Sequence, residues 1–167
     1  MLKSTVKASF RSDVGSNESN RLRRDGFIPG VLYGSDKEPK CIEVDKKELE
    51  SIIREHGTNV ILNVSIDDNQ GSELAIIKEI QRHPVNKDII HVDFQRVSYD
   101  KPVVATVPIV LVDRDSVENK DVTIQNQMRE LKVECLPQHM PEVIEVSVKD
   151  LVFGQALKVA NIEFSKE

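Results

Sequence analysis

The sequence predicts a mainly β protein, and three observations carry that reading. Aromatic residues make up only 4% of the chain and tryptophan is absent, so any core must rest on Val, Ile and Leu, residues that favour strands when β-branched. Alternation of apolar and polar side chains recurs in Thr5–Phe10, Val60–Ile66, Leu131–Cys135 and Ile144–Val148, the period of a half-buried strand. The clearest helix is one segment, Lys46 to His56. The chain of 167 residues, 39% hydrophobic and 31% charged, is globular in composition and suits one large or two small domains.

The elements follow in order. Val6, Ala8 and Phe10 share one face of a first strand. Ser12 to Asn20 is a polar stretch, Arg21 to Gly26 is one helical turn ended by the glycine, and Ile28-Pro29-Gly30 is a turn before a short strand, Val31–Gly34. Cys41–Val44 is another short strand. The helix from Lys46 has Asp45 as its cap, Glu48 to complete a capping box, Gly57 as its stop and a buried stripe of Leu49, Ile52 and Ile53. Val60 to Ile66 is a strand, and Asp67 to Gly71 a hairpin-like loop. Leu74–His83 and Ile89–Val97 are strands joined by an antiparallel hairpin through Pro84–Asp88. Ser98–Pro102 is the expected boundary, dividing the chain into units at 1–97 and 98–167. Beyond it, Val103–Val112 reads as strand segments broken at Pro108. Leu131, Val133 and Cys135, then Ile144, Val146 and Val148, read as half-buried antiparallel strands, and Leu157–Phe164 as a weaker one. The second unit is therefore a small β domain.

Charge narrows the function. The net charge of −5 counts against a protein that coats nucleic acid by bulk electrostatics. Residues 1–34, however, hold six basic side chains against three acids, whereas residues 98–167 hold eight against twelve, so an anionic partner meets the N-terminal end. Cys41 and Cys135 lie far apart with no CxxC pair and read as reduced thiols of a cytoplasmic protein. No signal-peptide core opens the chain, and the longest apolar stretch, Val103–Val112, is too short to span a bilayer. No Walker loop, GxGxxG, GxSxG or HExxH occurs, which argues against an enzyme.

The informative place is the hairpin. In Ile90-His91-Val92-Asp93-Phe94-Gln95 the apolar residues take one face, and His91, Asp93 and Gln95 the other. If the hairpin turns about Asn86, Gln81 lies opposite His91, and Gln81, His83, His91 and Asp93 form one polar patch. Such a patch suits base edges and 2′-hydroxyls better than phosphate; an ordinary solvated face is the other reading. Asp93 could accept from a base amine or orient His91. His-x-Asp alone supplies too few ligands for a metal, and no cofactor or metal is expected. Arg11, Arg21 and Arg23 offer guanidinium forks to phosphate, and Tyr33 offers a ring that could stack on a base or lie in a core.

The segments Arg21-Leu22-Arg23-Arg24-Asp25-Gly26-Phe27-Ile28-Pro29-Gly30-Val31-Leu32-Tyr33-Gly34, Gln81-Arg82-His83-Pro84-Val85 and His91-Val92-Asp93-Phe94 resemble signatures of the bacterial large-subunit ribosomal protein family twenty-five. Val133–Pro137, Val148–Leu151 and Gly154 resemble the extra domain of its longer form, the general stress protein Ctc type. The resemblance implies an N-terminal six-stranded β-barrel with short helices that binds 5S rRNA at the irregular helix called loop E, plus a C-terminal β domain. It implies a non-catalytic ribosomal constituent, in contact with other large-subunit proteins and monomeric outside the ribosome. Arg11, Arg21, Tyr33, His91 and Asp93 match positions the family uses on RNA, with Arg23 and Gln81 as additions; His83 reads instead as shaping the turn before Pro84. One departure stands out: Val14–Asn20, basic and glycine-rich in the family, here carries no Lys or Arg and one acid, Glu18. That departure motivates the alternative reading, a stress-related protein-binding adaptor with weak or conditional ribosome association.

Overall fold

The computed structural model describes residues 4–12, 15–35, 37–66, 71–114, 124–149, 151 and 154–161. Strands β1 (Ser4–Phe10), β2 (Phe27–Gly34), β3 (Lys37–Asp45), β4 (Ile61–Ile66), β5 (Ser72–Arg82) and β6 (Ile89–Arg96) close into a six-stranded barrel in the order β1-β3-β2-β6-β5-β4. The β1–β4 and β2–β6 seams are parallel and the other four antiparallel. Closure leaves the barrel no free edge. Its interior is the inward half of each alternating pattern: Val6, Leu32, Ile42, Val44, Leu62, Val64 and Val92 are fully buried around one aromatic, Phe94. Burying each such side chain favours folding by about 1.5–3 kcal/mol.

The strand containing Ile28-Pro29-Gly30 differs from expectation, since the predicted turn lies within β2. Pro29 stands one residue before the β2–β6 ladder begins at Gly30–Val92, a ladder start that tolerates a proline. Gly30 is required by close approach: a Cβ there would lie 2.6 Å from the Val92 carbonyl oxygen and 3.0 Å from Val92 Cγ1. Gly30→Ala should therefore destabilise the barrel by about 2 kcal/mol, read as a lower denaturant midpoint.

Helix α1 (Ser16–Arg24) replaces the polar stretch and single turn expected between β1 and β2. Ser16, Asn17, Ser19 and Asn20 are weak helix formers, and α1 buries none of its residues, so no apolar stripe announces it. Tertiary hydrogen bonds hold it instead. Helix α2 (Lys46–His56) keeps its expected bounds: Asp45 accepts from the Glu48 N–H at 2.9 Å, and Gly57, at φ 74°, ends it. The capping box is only half made, because the Glu48 carboxylate accepts from the Lys7 N–H of β1 at 3.3 Å. Leu49 and Ile52 are buried in the barrel core, with Ile53 half-buried against it.

A second sheet follows, with β7 (Val103–Val112) between β8 (Glu130–Cys135) and β9 (Ile144–Ser147). Pro108 does not break β7. It stands opposite Glu130 of β8, one residue before the ladder to β9 begins at Ile109. Strand β9 pairs in parallel, not antiparallel as expected; alternation is the same in both directions and does not report polarity. In place of a strand near Leu157, Val159–Asn161 forms a 3₁₀ turn; the rest of that expected strand, 162–164, and most of the expected loop, 67–70, lie outside the described residues. The second sheet packs on the barrel's outer wall, where Ile61 and Ile76 meet Val103, Ala105 and Met140.

Candidate nucleic-acid interface

The outer face of β2, β6 and β5 carries most of the residues singled out in the sequence. Gln81 stands opposite His91, the register the hairpin turn implied. Parallel pairing places Val31 beside Asp93 and Tyr33 beside Gln95. Asp93, Tyr33, His91 and Gln81 thus share one three-stranded surface, since their neighbours Val92, Phe94 and Leu32 point into the core.

Within this surface, His91 Nδ1 sits 2.8 Å from Asp93 Oδ1, and both side chains are about three-quarters buried. The contact is close but off the line of an N–H···O hydrogen bond, so Nδ1 has no aligned partner among the described residues. Burial raises the Tyr33 phenol above its ordinary value, and the carboxylates of Asp93 and Glu79 push it further the same way. Tyr33 therefore keeps its proton at neutral pH and remains a donor.

Two β-bulges shape the face. In β5 the register passes from Ile77–Phe94 to Glu79–Asp93, leaving Lys78 as the extra residue. Its Nζ donates to the Val104 carbonyl of β7 at 2.7 Å. In β6 the register skips Ile90, and the Ile90 carbonyl accepts from Arg23 Nε at 2.9 Å. A bulge leaves its extra residue outside the ladder, and Arg23 supplies a partner there.

The arginines divide accordingly. Arg23 also donates to Asn20 Oδ1 at 2.8 Å, so it staples α1 to β6. Arg11, at the end of β1, donates through Nη1 to Ser19 Oγ at 3.4 Å and leaves a buried Nε without a partner among the described residues. Arg21 is the exposed one, with 73% of its side chain accessible and Glu18 Oε2 at 3.7 Å. His83 leaves the patch: its Nδ1 accepts from the Val85 and Asn86 N–H groups and shapes the turn. The described residues contain no cluster of three or more His, Cys, Asp or Glu able to hold a metal ion, and none of their helices is long and apolar enough to cross a membrane.

Sequence reasoning missed Glu79, which stands opposite Asp93 on this face. A signal was present. In Ile77-Lys78-Glu79-Ile80 two apolar residues stand three apart within a strand, and strict alternation cannot turn both inward. The bulge at Lys78 resolves the conflict, burying Ile77, packing Ile80 on the core and leaving Glu79 exposed.

The closed barrel and the second sheet on its wall define a two-part β protein, and the family comparisons place it in the ribosomal class. The model of the ribosomal L25p family matches residues 6–94, and that of the ribosomal protein TL5 C-terminal domain matches 102–167. The chain belongs to the ribosomal L25p family. It is 38% identical over 160 residues to the large ribosomal subunit protein bL25 of Halothermothrix orenii, covering 95% of this chain and 72% of that one. The protein of the same name from Finegoldia magna is 35% identical, with 93% and 73% covered, and that of Stutzerimonas stutzeri 32% identical, with 97% and 80% covered.

Proposed function

We propose that this chain is a non-catalytic constituent of the large ribosomal subunit, in the cytoplasm, that binds 5S rRNA in the loop E region through the outer face of β2, β6 and β5. The observation that carries the reading is the register of Gln81 against His91, which assembles Gln81, His91, Asp93 and Tyr33 on one surface. A wide, shallow A-form minor groove can receive such a sheet face and offers 2′-hydroxyls and base edges to it. In this reading Tyr33 packs on a base or ribose, Gln81 and His91 supply donors and acceptors, and Asp93 orients His91 while accepting from the RNA. Arg21 meets phosphate, and Arg11 and Arg23 hold α1 beside the groove while offering their remaining N–H groups.

The unit that binds is taken as residues 1–97. The unit from 98 onward, with its excess of acids, faces solvent or other large-subunit proteins, and the protein is monomeric away from the ribosome. The test is chemical probing of free 5S rRNA with and without the purified protein. Protection confined to loop E supports the reading; an unchanged reactivity profile refutes it and favours a protein-binding adaptor.

Glu18 competes with phosphate for Arg21 across one helical turn. Glu18→Gln should tighten RNA binding about two- to fivefold at low salt, the range of an exposed ion pair. Titration of both proteins at two salt concentrations checks this, and the gain should shrink as salt screens the charges.

A further inference from the structure

We propose that Glu79 is a further recognition residue of this face, set opposite Asp93 by the β5 bulge so that the two carboxylates together accept from the 2-amino group of a guanine in the bound RNA. The proposal rests on the RNA-binding reading above and adds to it the base chemistry selected.

The register pairs Glu79 directly with Asp93, which brings their β-carbons to about 4.5–5.5 Å. Two like charges placed so disfavour the free protein. Asp93 has His91 beside it, whereas Glu79 makes no hydrogen bond or ion pair among the described residues. The cation nearest in sequence, Lys78, is turned away to the Val104 carbonyl. The free molecule therefore carries a carboxylate pair whose Glu79 member is exposed and has no compensating donor among the described residues, on the surface that holds Tyr33, His91 and Gln81.

A carboxylate pair repels phosphate, so this spot cannot lie over the backbone. It calls for N–H or O–H donors. On a minor-groove face the base edges offer acceptors except at guanine, whose 2-amino group is the one base donor there. The raised Tyr33 phenol, which feels both carboxylates, agrees with Glu79 lying on the same face and not beside it.

The experiment compares the full chain with Glu79→Ala and Glu79→Gln, binding 5S rRNA and 5S rRNAs in which single guanosines are replaced by inosine, which lacks the 2-amino group. Wild type should bind unmodified RNA tightly and lose about tenfold at one inosine position, the scale of one base-edge contact. Glu79→Ala should lose about tenfold on unmodified RNA and nothing more on that inosine RNA. Glu79→Gln, which keeps one acceptor oxygen, should fall between. The free Glu79→Ala protein should also unfold at a higher temperature, because the facing charges are relieved. Wild-type binding with Glu79→Ala equal or tighter would overturn this proposal and leave the RNA reading standing. Independent losses from alanine and inosine would likewise overturn it, whereas failure of wild type to bind would overturn both.

Discussion

Asp93→Ala is expected to weaken binding to 5S rRNA about tenfold or more, although it removes a negative charge from the face proposed to meet that polyanion. If Asp93 were a bystander, its removal would strengthen binding by relieving repulsion from phosphate. The opposite sign follows from its place in the sheet. Asp93 lies in β6 between Val31 of β2 and Glu79 of β5, with His91 Nδ1 2.8 Å from its carboxylate. Its loss frees the imidazole to turn and removes an acceptor from the groove, each a contribution within the roughly 1–3 kcal/mol of a specific base-edge contact. The salt dependence should be nearly unchanged, since no phosphate contact is lost. A titration of wild type and Asp93→Ala at two salt concentrations reads both quantities. Tighter binding by the variant would remove Asp93 from the site.

Arg96→Met should cost about 3 kcal/mol of folding stability, the lower end for breaking a buried ion pair, with RNA affinity of the folded protein little altered. Arg96 ends β6 with only 3% of its side chain exposed. Its guanidinium binds the Glu73 carboxylate at the start of β5 and donates from Nη1 to the Glu38 carbonyl of β3 at 3.3 Å. Lys37 Nζ closes the group, 2.8 Å from Glu73 Oε1. Three strands are therefore tied at one end of the barrel through a single cation. Burial pushes the Glu73 carboxyl up, but its bonds to Lys37 and Arg96 outweigh this and hold it below its ordinary value of 4.5. A carboxyl depressed on folding stabilises above its unfolded value and loses that contribution as pH falls through the folded one. Wild-type stability should thus decline as pH drops below 4.5, and in Arg96→Met this part of the slope should flatten. Urea unfolding from about pH 5 down to pH 3 measures it.

The parts of the fold that were legible in the sequence are those in which local chemistry and global packing agree. Asp45 and Gly57 bound α2 because a capping carboxylate and a left-handed stop work locally. Gln81 faces His91 as expected, although the hairpin itself pairs Arg82 with Ile89 and the bulge at Ile90 then brings Gln81 to His91. Elements held by distant partners were not legible. α1 begins at Ser16 with no apolar stripe, held by Arg11 on Ser19 and Arg23 on Ile90. The parallel pairing of β9 is invisible to alternation. Arg96 looks like one more surface cation until Glu73 and Glu38 are brought to it. On the candidate face, Asp93 and His91 declared themselves by alternation. Glu79 lies two residues before Gln81 and shares its face, but Ile77, three residues before Ile80, obscures that alternation until the bulge at Lys78 is seen.

The central claim is that the face formed by Tyr33, Gln81, His91 and Asp93 recognises the irregular helix of 5S rRNA by base edges and 2′-hydroxyls, with few phosphate contacts. The most direct test is equilibrium binding of the full chain to 5S rRNA and to a loop E mutant, each at two salt concentrations. Tight binding that is lost with the mutant RNA is expected, with a shallow salt dependence of about 0.7–0.9 log unit for each of a small number of phosphates. Binding indifferent to loop E, with a steep salt slope, would contradict it.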